Sequence, residues 1–523
     1  MFEILYMLSL LIECANMTEQ NNKVHQPNII WIMADDLGYG DLGCYGQQLM
    51  KTPCLDRMAQ EGVRFTDCYA GAHMCAPSRA TLLTGKHEGH SSVREIWFRG
   101  PGRAYLHPKE TTIAQVLRQA GYATAIFGKT HAMGIDKDEL AEKSRHFGFD
   151  HFLHDYEYAQ NWLGPNFPLS VVSQNGITEF PVNAEIERTM TEKYGSEPKE
   201  HTSGYIEKYE DYDHGAYMDD LYTQAACDYI GTKPEEPFFI YLSLRAPHTK
   251  YLAPGIGKYI NEDWDPFSKG YVAMVERMDA HVGQVLNALA EAGMDDETIV
   301  FFTSDNGGVC RDGIEGVNRE DWTAFRERIK PNRDLRKGKH YHFEGGIRIP
   351  MIVRWPGRIE AASVSDVPWY FADAFPTLAG IAGTTGLVPD DVDGVSVLPT
   401  LHGEDQPELD ERPMYWEAHK FFGFYQVVRK GNWKLIRWTK RGPRQHPLGD
   451  IDPVLPVDQY PMLELYNLAE DHREECSLAD KETAVTAELL SLLNSAQAHT
   501  DDPDWPITKE ERRAMELYSH ASD

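Results

Sequence analysis

Residues 28–36 read NIIWIMADD and residues 298–306 read TIVFFTSDN. Each is a short run rich in β-branched and aromatic residues that stops at an acidic or amide pair. Continuous apolar runs of this kind are strands buried on both faces, because a half-solvated strand would alternate. Two further segments repeat the form: ATAIFGKTH (123–131) ends at Lys129 and His131, and FFIYLSLRAPH (238–248) ends at His248. Between them, TTIAQVLRQAG (111–121) and GYVAMVERMDAHVGQVLNALAEAG (270–293) read as helices. The alternation predicts an α/β fold with a large, mostly parallel central sheet sandwiched by helices. In open sheets of this class the ligand site lies beyond the carboxyl ends of the strands. The polar clusters are therefore expected to converge on one edge.

The clusters divide by charge. Asp35, Asp36, Asp305 and Asn306 offer only oxygen ligands, which suits a hard cation, Ca²⁺ or Mg²⁺, rather than zinc. Singly, such pairs are common turn residues; two of them in one crevice point to a metal. The cationic and imidazole members are Arg79, Lys129, His131, His248 and Lys339, the last within DLRKGKHYHFEGGIRIP (334–350). Together they describe a metal-anchored pocket for a tetrahedral anion, with imidazoles near the reacting atoms. In CAPSRATLLTG (75–85), Pro77 suits a first helical turn and Gly85 a helix end. Cys75 then lies at the helix N-terminus, and Arg79 comes round toward the same face. Free N–H groups and a guanidinium make that an anion-binding corner.

The chain has 523 residues, 42% of them hydrophobic, enough for a large core with a smaller companion domain. With 51 basic against 81 acidic residues the net charge is -30. That balance argues against sequence-independent nucleic-acid binding, which needs clustered Lys and Arg. The first twenty residues, MFEILYMLSLLIECANMTEQ, resemble an export signal that lacks a basic start, so residues 1–23 are read as leader and the protein as periplasmic or secreted, with a cytoplasmic location left open. That apolar run is too short to span a bilayer comfortably, and no other stretch is apolar enough to cross a membrane. None of the eight cysteines forms a CxxC pair, so no zinc cage is suggested.

CAPSRATLLTG fits C-x-P-S-R-x-x-x-x-T-G without a mismatch, and the chain is similar to the formylglycine-dependent sulfatases of the alkaline phosphatase superfamily. The resemblance continues through PNIIWIMADDLGYGDLGCYG, GYATAIFGKTH, APH, SDNGG, GKHYHFEGGIRIP, GNWKLI and ELYNLAEDHREECSLA, and covers about residues 27 to 480. It implies that a formylglycine-generating enzyme oxidises Cys75, that the aldehyde is hydrated to a gem-diol, and that Arg79 stabilises the diol. It implies further that Asp35, Asp36, Asp305, Asn306 and the modified Cys75 hold Ca²⁺. Lys129 would bind the sulfate oxygens, His248 and Lys339 would assist departure of the alcohol, and His131 would take a proton as the covalent sulfate ester collapses. Two departures stand out: Thr130 replaces a frequent aromatic residue, and Lys337 replaces a usual Gly.

The catalytic domain is expected over 24–405, with LHGEDQPELDERP (401–413) as a linker. Residues 406–523 would then form a smaller domain with an antiparallel sheet and a helix over 481–499. The aromatic and charged segment from Tyr156 to about Tyr217 has no family pattern and reads as a substrate-facing insertion. The expected reaction is hydrolysis of a sulfate monoester, most simply on a sugar. An aryl sulfate, a phosphate or phosphonate ester, and a silent binding protein are the alternatives.

Overall fold

The computed structural model describes residues 26–94, 105–133, 137–155, 169–173, 176–180, 217–249, 251, 253, 256–259, 261–309, 319–418, 425–438 and 462–496. The leader reading at 1–23 and most of the insertion reading lie outside these residues. The main sheet has eleven strands: β1 (Asn28–Ala34), β2 (Val63–Tyr69), β3 (Ala123–Gly128), β4 (His151–Asp155), β5 (Leu169–Ser173), β6 (Gly176–Phe180), β7 (Phe238–Ser243), β8 (Thr298–Ser304), β9 (Arg348–Arg354), β10 (Ser363–Ser365) and β11 (Trp369–Tyr370). Their order is β10-β2-β9-β8-β1-β7-β3-β4-β5-β6, with β11 also on β2. The centre, β8-β1-β7-β3-β4, is parallel; β9 runs antiparallel to both β8 and β2, and β5 antiparallel to β4 and β6. The sheet is mixed and mostly parallel.

β1 is buried along its whole length, as its uninterrupted apolar run requires. Ile30, Ile32 and Ala34 enter one core, packed with the helices Met218–Gly231 and Pro266–Ala292. Ile29, Trp31 and Met33 enter a second, packed with Cys75–Thr84, Ile113–Gln119 and Ala374–Ile381. Successive side chains of one strand thus hold two helical layers, the physical content of an α/β sandwich. Among the described residues no helix is long and apolar enough to cross a membrane. Cys44, Cys54, Cys68, Cys75, Cys227 and Cys476 form no disulfide.

A second sheet, β12 (Met414–Ala418), β13 (Tyr425–Lys430), β14 (Trp433–Trp438) and β15 (Met462–Asn467), is antiparallel throughout. One face carries Trp416, Tyr425, Val427, Ile436 and Tyr466 against Tyr69, Phe343 and Tyr370 of the main domain. The other carries Tyr415, Val428, Leu435 and Leu465 against the helix Thr483–Ala496. The 401–413 segment is no free spacer: Leu401 and Leu409 are buried in the main core, and Arg412 pairs with Asp373. It turns out of helical one-turn pieces, Leu398–Leu401 and Glu408–Glu411, whose polar surface made it resemble a linker.

The joint between the sheets is ionic at its centre. Lys434 is fully buried and lies 2.9 Å from both Glu344 and Glu474. Burial and the nearby Glu344 push the Glu474 carboxyl up to about 7, against the pull of Lys434. Removing the ammonium would leave two carboxylates facing each other without water. Lys434→Met is therefore expected to cost about 3–5 kcal/mol, read as a fall in the urea midpoint; a change below about 0.5 kcal/mol, the usual range for a surface substitution, would mean that the joint does not depend on this charge.

Candidate active site

β1 and β8 end side by side, and the backbone crosses between them: the Asp305 N–H donates to the Ala34 carbonyl at 3.1 Å, and the Asp35 N–H to that of Ala246 at 3.0 Å. These bonds deliver Asp35, Asp36, Asp305 and Asn306 to one point at the carboxyl edge of the sheet. All four are buried. Asp36 adopts φ 67°, a left-handed conformation that Asp tolerates better than most residues. Its N–H donates to Asp305 Oδ1 at 3.1 Å, and Asn306 Nδ2 donates to Asp36 Oδ1 at 2.8 Å. Asp35 Oδ1 and Asn306 Oδ1 are buried without a hydrogen-bond partner. Ligand atoms of Asp35, Cys75 and Asp305 lie within 4.8 Å of one another, as do those of Asp35, Asp36 and His248. Converging oxygens with unused lone pairs fit a divalent, oxygen-seeking cation.

The helix Cys75–Thr84 points its N-terminus at this cluster. Met74 precedes it in extended conformation, and Gly85 closes it at φ 71°. Cys75 is the first helical residue and is buried; burial pushes its thiol pKa up, against the pull of Lys129 and Lys339. The helix is locked by Ser78, whose hydroxyl donates to the Asp305 carbonyl at 2.5 Å. One turn from Cys75, Arg79 donates through Nε and Nη2 to Asp305 Oδ2 at 3.0 and 2.7 Å. Its Nη1 donates to Ser243 Oγ, to the Tyr241 hydroxyl at 3.3 Å and to the Lys129 carbonyl at 3.4 Å.

Lys129 follows β3, where Gly128 turns at φ 110°; a Cβ there would meet the Ser243 carbonyl at 1.9 Å. That approach lets the Lys129 N–H donate to the same carbonyl at 2.9 Å, and its ammonium pairs with Asp35. Lys339 pairs with Asp36 at 2.7 Å. Its loop is held because Gly307 comes so near Gly345 that a Cβ would lie 1.9 Å from the carbonyl oxygen. Burial opposes the charge on Lys339, but Asp36 and the neighbouring acids more than compensate and raise its pKa. His248 Nε2 stands 3.6 Å from Asp36, with Nδ1 2.7 Å from the Thr249 carbonyl. Burial and Lys339 push the His248 pKa down to about 4, and burial with Lys129 and Arg79 holds that of buried His131 well below its ordinary value. Both imidazoles are thus neutral near pH 7. Burial raises Asp35 as well, yet the permanently charged Lys129 and Arg79 overcome it and hold it low, while burial and Asp35 push Asp305 up to about 6.

The candidate site residues therefore lie at this edge: Arg79, Lys129, Lys339 and His248 against the carboxylates, Cys75 within 4.8 Å of Asp35 and Asp305, and buried His131 two residues from Lys129. Three positioning residues escaped that reading. Tyr241 and Ser243 hold the Arg79 guanidinium from β7, and Asp219 accepts from the N–H groups of Arg245 and Ala246 at 2.8 and 2.9 Å, fixing the His248 loop. Ser243, the first polar residue after the apolar run of β7, carried a signal; Asp219, inside a helical segment, carried none.

Comparison with known proteins agrees with this geometry. A sulfatase family model matches residues 27–384, and a model for the C-terminal region of N-sulphoglucosamine sulphohydrolase matches 337–452. The chain is 29% identical to an N-acetylgalactosamine-6-O-sulfatase of Bacteroides thetaiotaomicron, over 94% of this chain and 97% of that one. It is 30% identical to human (Homo sapiens) arylsulfatase A, over 92% and 89%. A solved structure from work on the metabolism of multiple glycosaminoglycans by Bacteroides thetaiotaomicron superposes with a TM-score of 0.68 at 26% identity, covering 91% of this chain and 100% of the other. The chain belongs to the sulfatase family of the alkaline phosphatase superfamily and is a sulfuric ester hydrolase.

Proposed function

We propose that this sulfatase hydrolyses the sulfate monoester of a sulfated sugar, using a formylglycine made from Cys75 and a calcium ion. The observation that carries the reading is the convergence of Cys75, three buried carboxylates and three buried cations at the carboxyl edge of the sheet. The sugar assignment is supported by the N-acetylgalactosamine-6-O-sulfatase that the chain resembles over nearly its whole length.

Asp35, Asp36, Asp305, Asn306 and the modified Cys75 would hold the cation, whose charge would favour a nucleophilic oxygen on residue 75 and neutralise the sulfate. Arg79, fixed from both sides, orients residue 75 and adds positive charge that does not move during the reaction. Lys129 lies where it can hold sulfate oxygens. Lys339 and His248 face the leaving alcohol; an anionic substrate beside His248 favours its protonated form and so its service as a donor. His131, held neutral, can accept a proton in the second half of the cycle. Because Cys75 is buried in the folded chain, the formylglycine-generating enzyme must reach it before the fold closes. The exported location suggested by the leader would suit such a substrate.

Mass analysis of the Cys75 peptide from the native host is expected to show the aldehyde, and Cys75→Ala is expected to lower turnover by about 10⁴-fold or more while leaving the far-UV spectrum unchanged. An unmodified thiol in fully active protein would overturn the formylglycine assignment. Chelation with EGTA should abolish turnover and Ca²⁺ should restore it; Asp305→Asn should weaken that restoration. On one leaving group, sulfate esters should turn over at least about 10²-fold faster than phosphate esters, and sulfated saccharides should surpass simple aryl sulfates in kcat/KM. A phosphate preference would shift the activity to the ester-hydrolase alternative.

A further inference from the structure

We infer that His73, Glu88 and His342 form a second metal site, separate from the carboxylate cluster and suited to a zinc-class divalent transition ion. The three side chains are buried, and one ligand atom from each lies within 4.8 Å of the others. His73 Nδ1 is 3.0 Å from His342 Nε2, which is 2.9 Å from Glu88 Oε2. A proton on Nε2, or the lone pair there, points in one in-plane direction and serves both partners only as a bent, weakened three-centre bond. A cation serves both. Ligands about 2.1 Å from a metal and 90–109° apart are about 3.0–3.4 Å from each other, close to the two separations at His342 Nε2, and the His73–Glu88 pair lies within 4.8 Å.

The surroundings favour the same reading. The His342 backbone N–H and Nδ1 both lie 3.2 Å from the Tyr425 hydroxyl oxygen. With the proton on Nδ1, that oxygen accepts from both groups and Nε2 is left as the ligand, the usual outer-shell arrangement for a metal-bound imidazole. Glu88 Oε2 is oriented by the Glu417 N–H at 3.0 Å. Two imidazoles and a carboxylate select a first-row transition ion over Ca²⁺. The neighbouring His87, His90 and Asp393 group does not qualify: the Gly89 N–H donates to His87 Nδ1 at 3.0 Å, which puts the ring proton on Nε2, the atom facing Asp393.

His73 precedes the Cys75–Thr84 helix, Glu88 follows it, and His342 lies three residues beyond Lys339. An ion here would tie both flanks of the nucleophile helix to the lysine loop and, through Glu417 and Tyr425, to the second sheet. Its role is structural, and it does not depend on the substrate assigned above.

The test is the metal content of the full-length protein, grown with zinc, manganese, cobalt and nickel, washed with EGTA and desalted. About one equivalent of transition metal per chain is expected. Glu88→Gln and His342→Asn should lose it; Asp36→Asn/Asp305→Asn should keep it. Less than about a tenth of an equivalent in the wild-type chain after incubation with Zn²⁺, or loss in the aspartate variant with retention in Glu88→Gln, would overturn the inference. Should Glu88→Gln not fold, the wild-type chain decides alone: with excess Ca²⁺ present, stoichiometric Zn²⁺ should raise the thermal midpoint by several degrees, and an unchanged midpoint refutes the site.

Discussion

Three carboxylates buried at the end of two adjacent strands are the constraint around which this molecule is arranged. Asp35, Asp36 and Asp305 are at most 1% exposed, and an unpaired carboxylate in such surroundings costs several kcal/mol. Each has its own cation: Lys129 for Asp35, Lys339 for Asp36 and Arg79 for Asp305. The cations come from the turn after β3, the loop before β9 and the helix Cys75–Thr84. Charge compensation therefore selects which distant segments must meet, and the sheet supplies the edge where they can. The same carboxylates, held by strand ends rather than by loops, are oriented before any ligand arrives.

The pairing also sets how the site could work. A divalent cation on these oxygens would compete with the lysines for the same lone pairs. The ammonium groups of Lys129 and Lys339 would then be released toward an anionic ester without any backbone movement. Arg79 is different. Its guanidinium is held by Asp305 on one side and by Ser243, Tyr241 and the Lys129 carbonyl on the other, so its charge stays fixed. Fixed and transferable positive charge are thus divided between residue types suited to each: a planar fork with many donors, and a point charge on a flexible stem.

Much of this was legible in the sequence because burial on both faces leaves a plain mark. NIIWIMADD and TIVFFTSDN announce both the strand and the place where it stops, and CAPSRATLLTG announces a helix start. The strand order was not legible, since an apolar run does not say which strand lies beside it, and nothing in the run of β9 marks it as the antiparallel strand between β8 and β2. Asp219 was missed because its work is done by accepting two backbone N–H groups, a task that any carboxylate on a helix could perform. The 401–413 segment misled for a related reason: its charged surface outweighs two leucines, Leu401 and Leu409, that decide its docking.

The second sheet then acquires a reason beyond its own core. Arg336 stacks on the Phe343 ring at 3.8 Å and donates to the Tyr466 hydroxyl and the Glu474 carbonyl, each at 2.9 Å, while Lys434 reaches Glu344 from β14. These contacts bracket residues 336–344, the segment that carries Lys339. A lysine with four rotatable bonds is a poor positioning device unless its backbone is held. Here the backbone is held from below by Gly308, through the 3.0 Å bond from the Lys339 N–H, and from the side by the second sheet. The C-terminal sheet, which packs on this loop as well as on Tyr69 and Tyr370, is thus part of the apparatus that fixes one cation of the site.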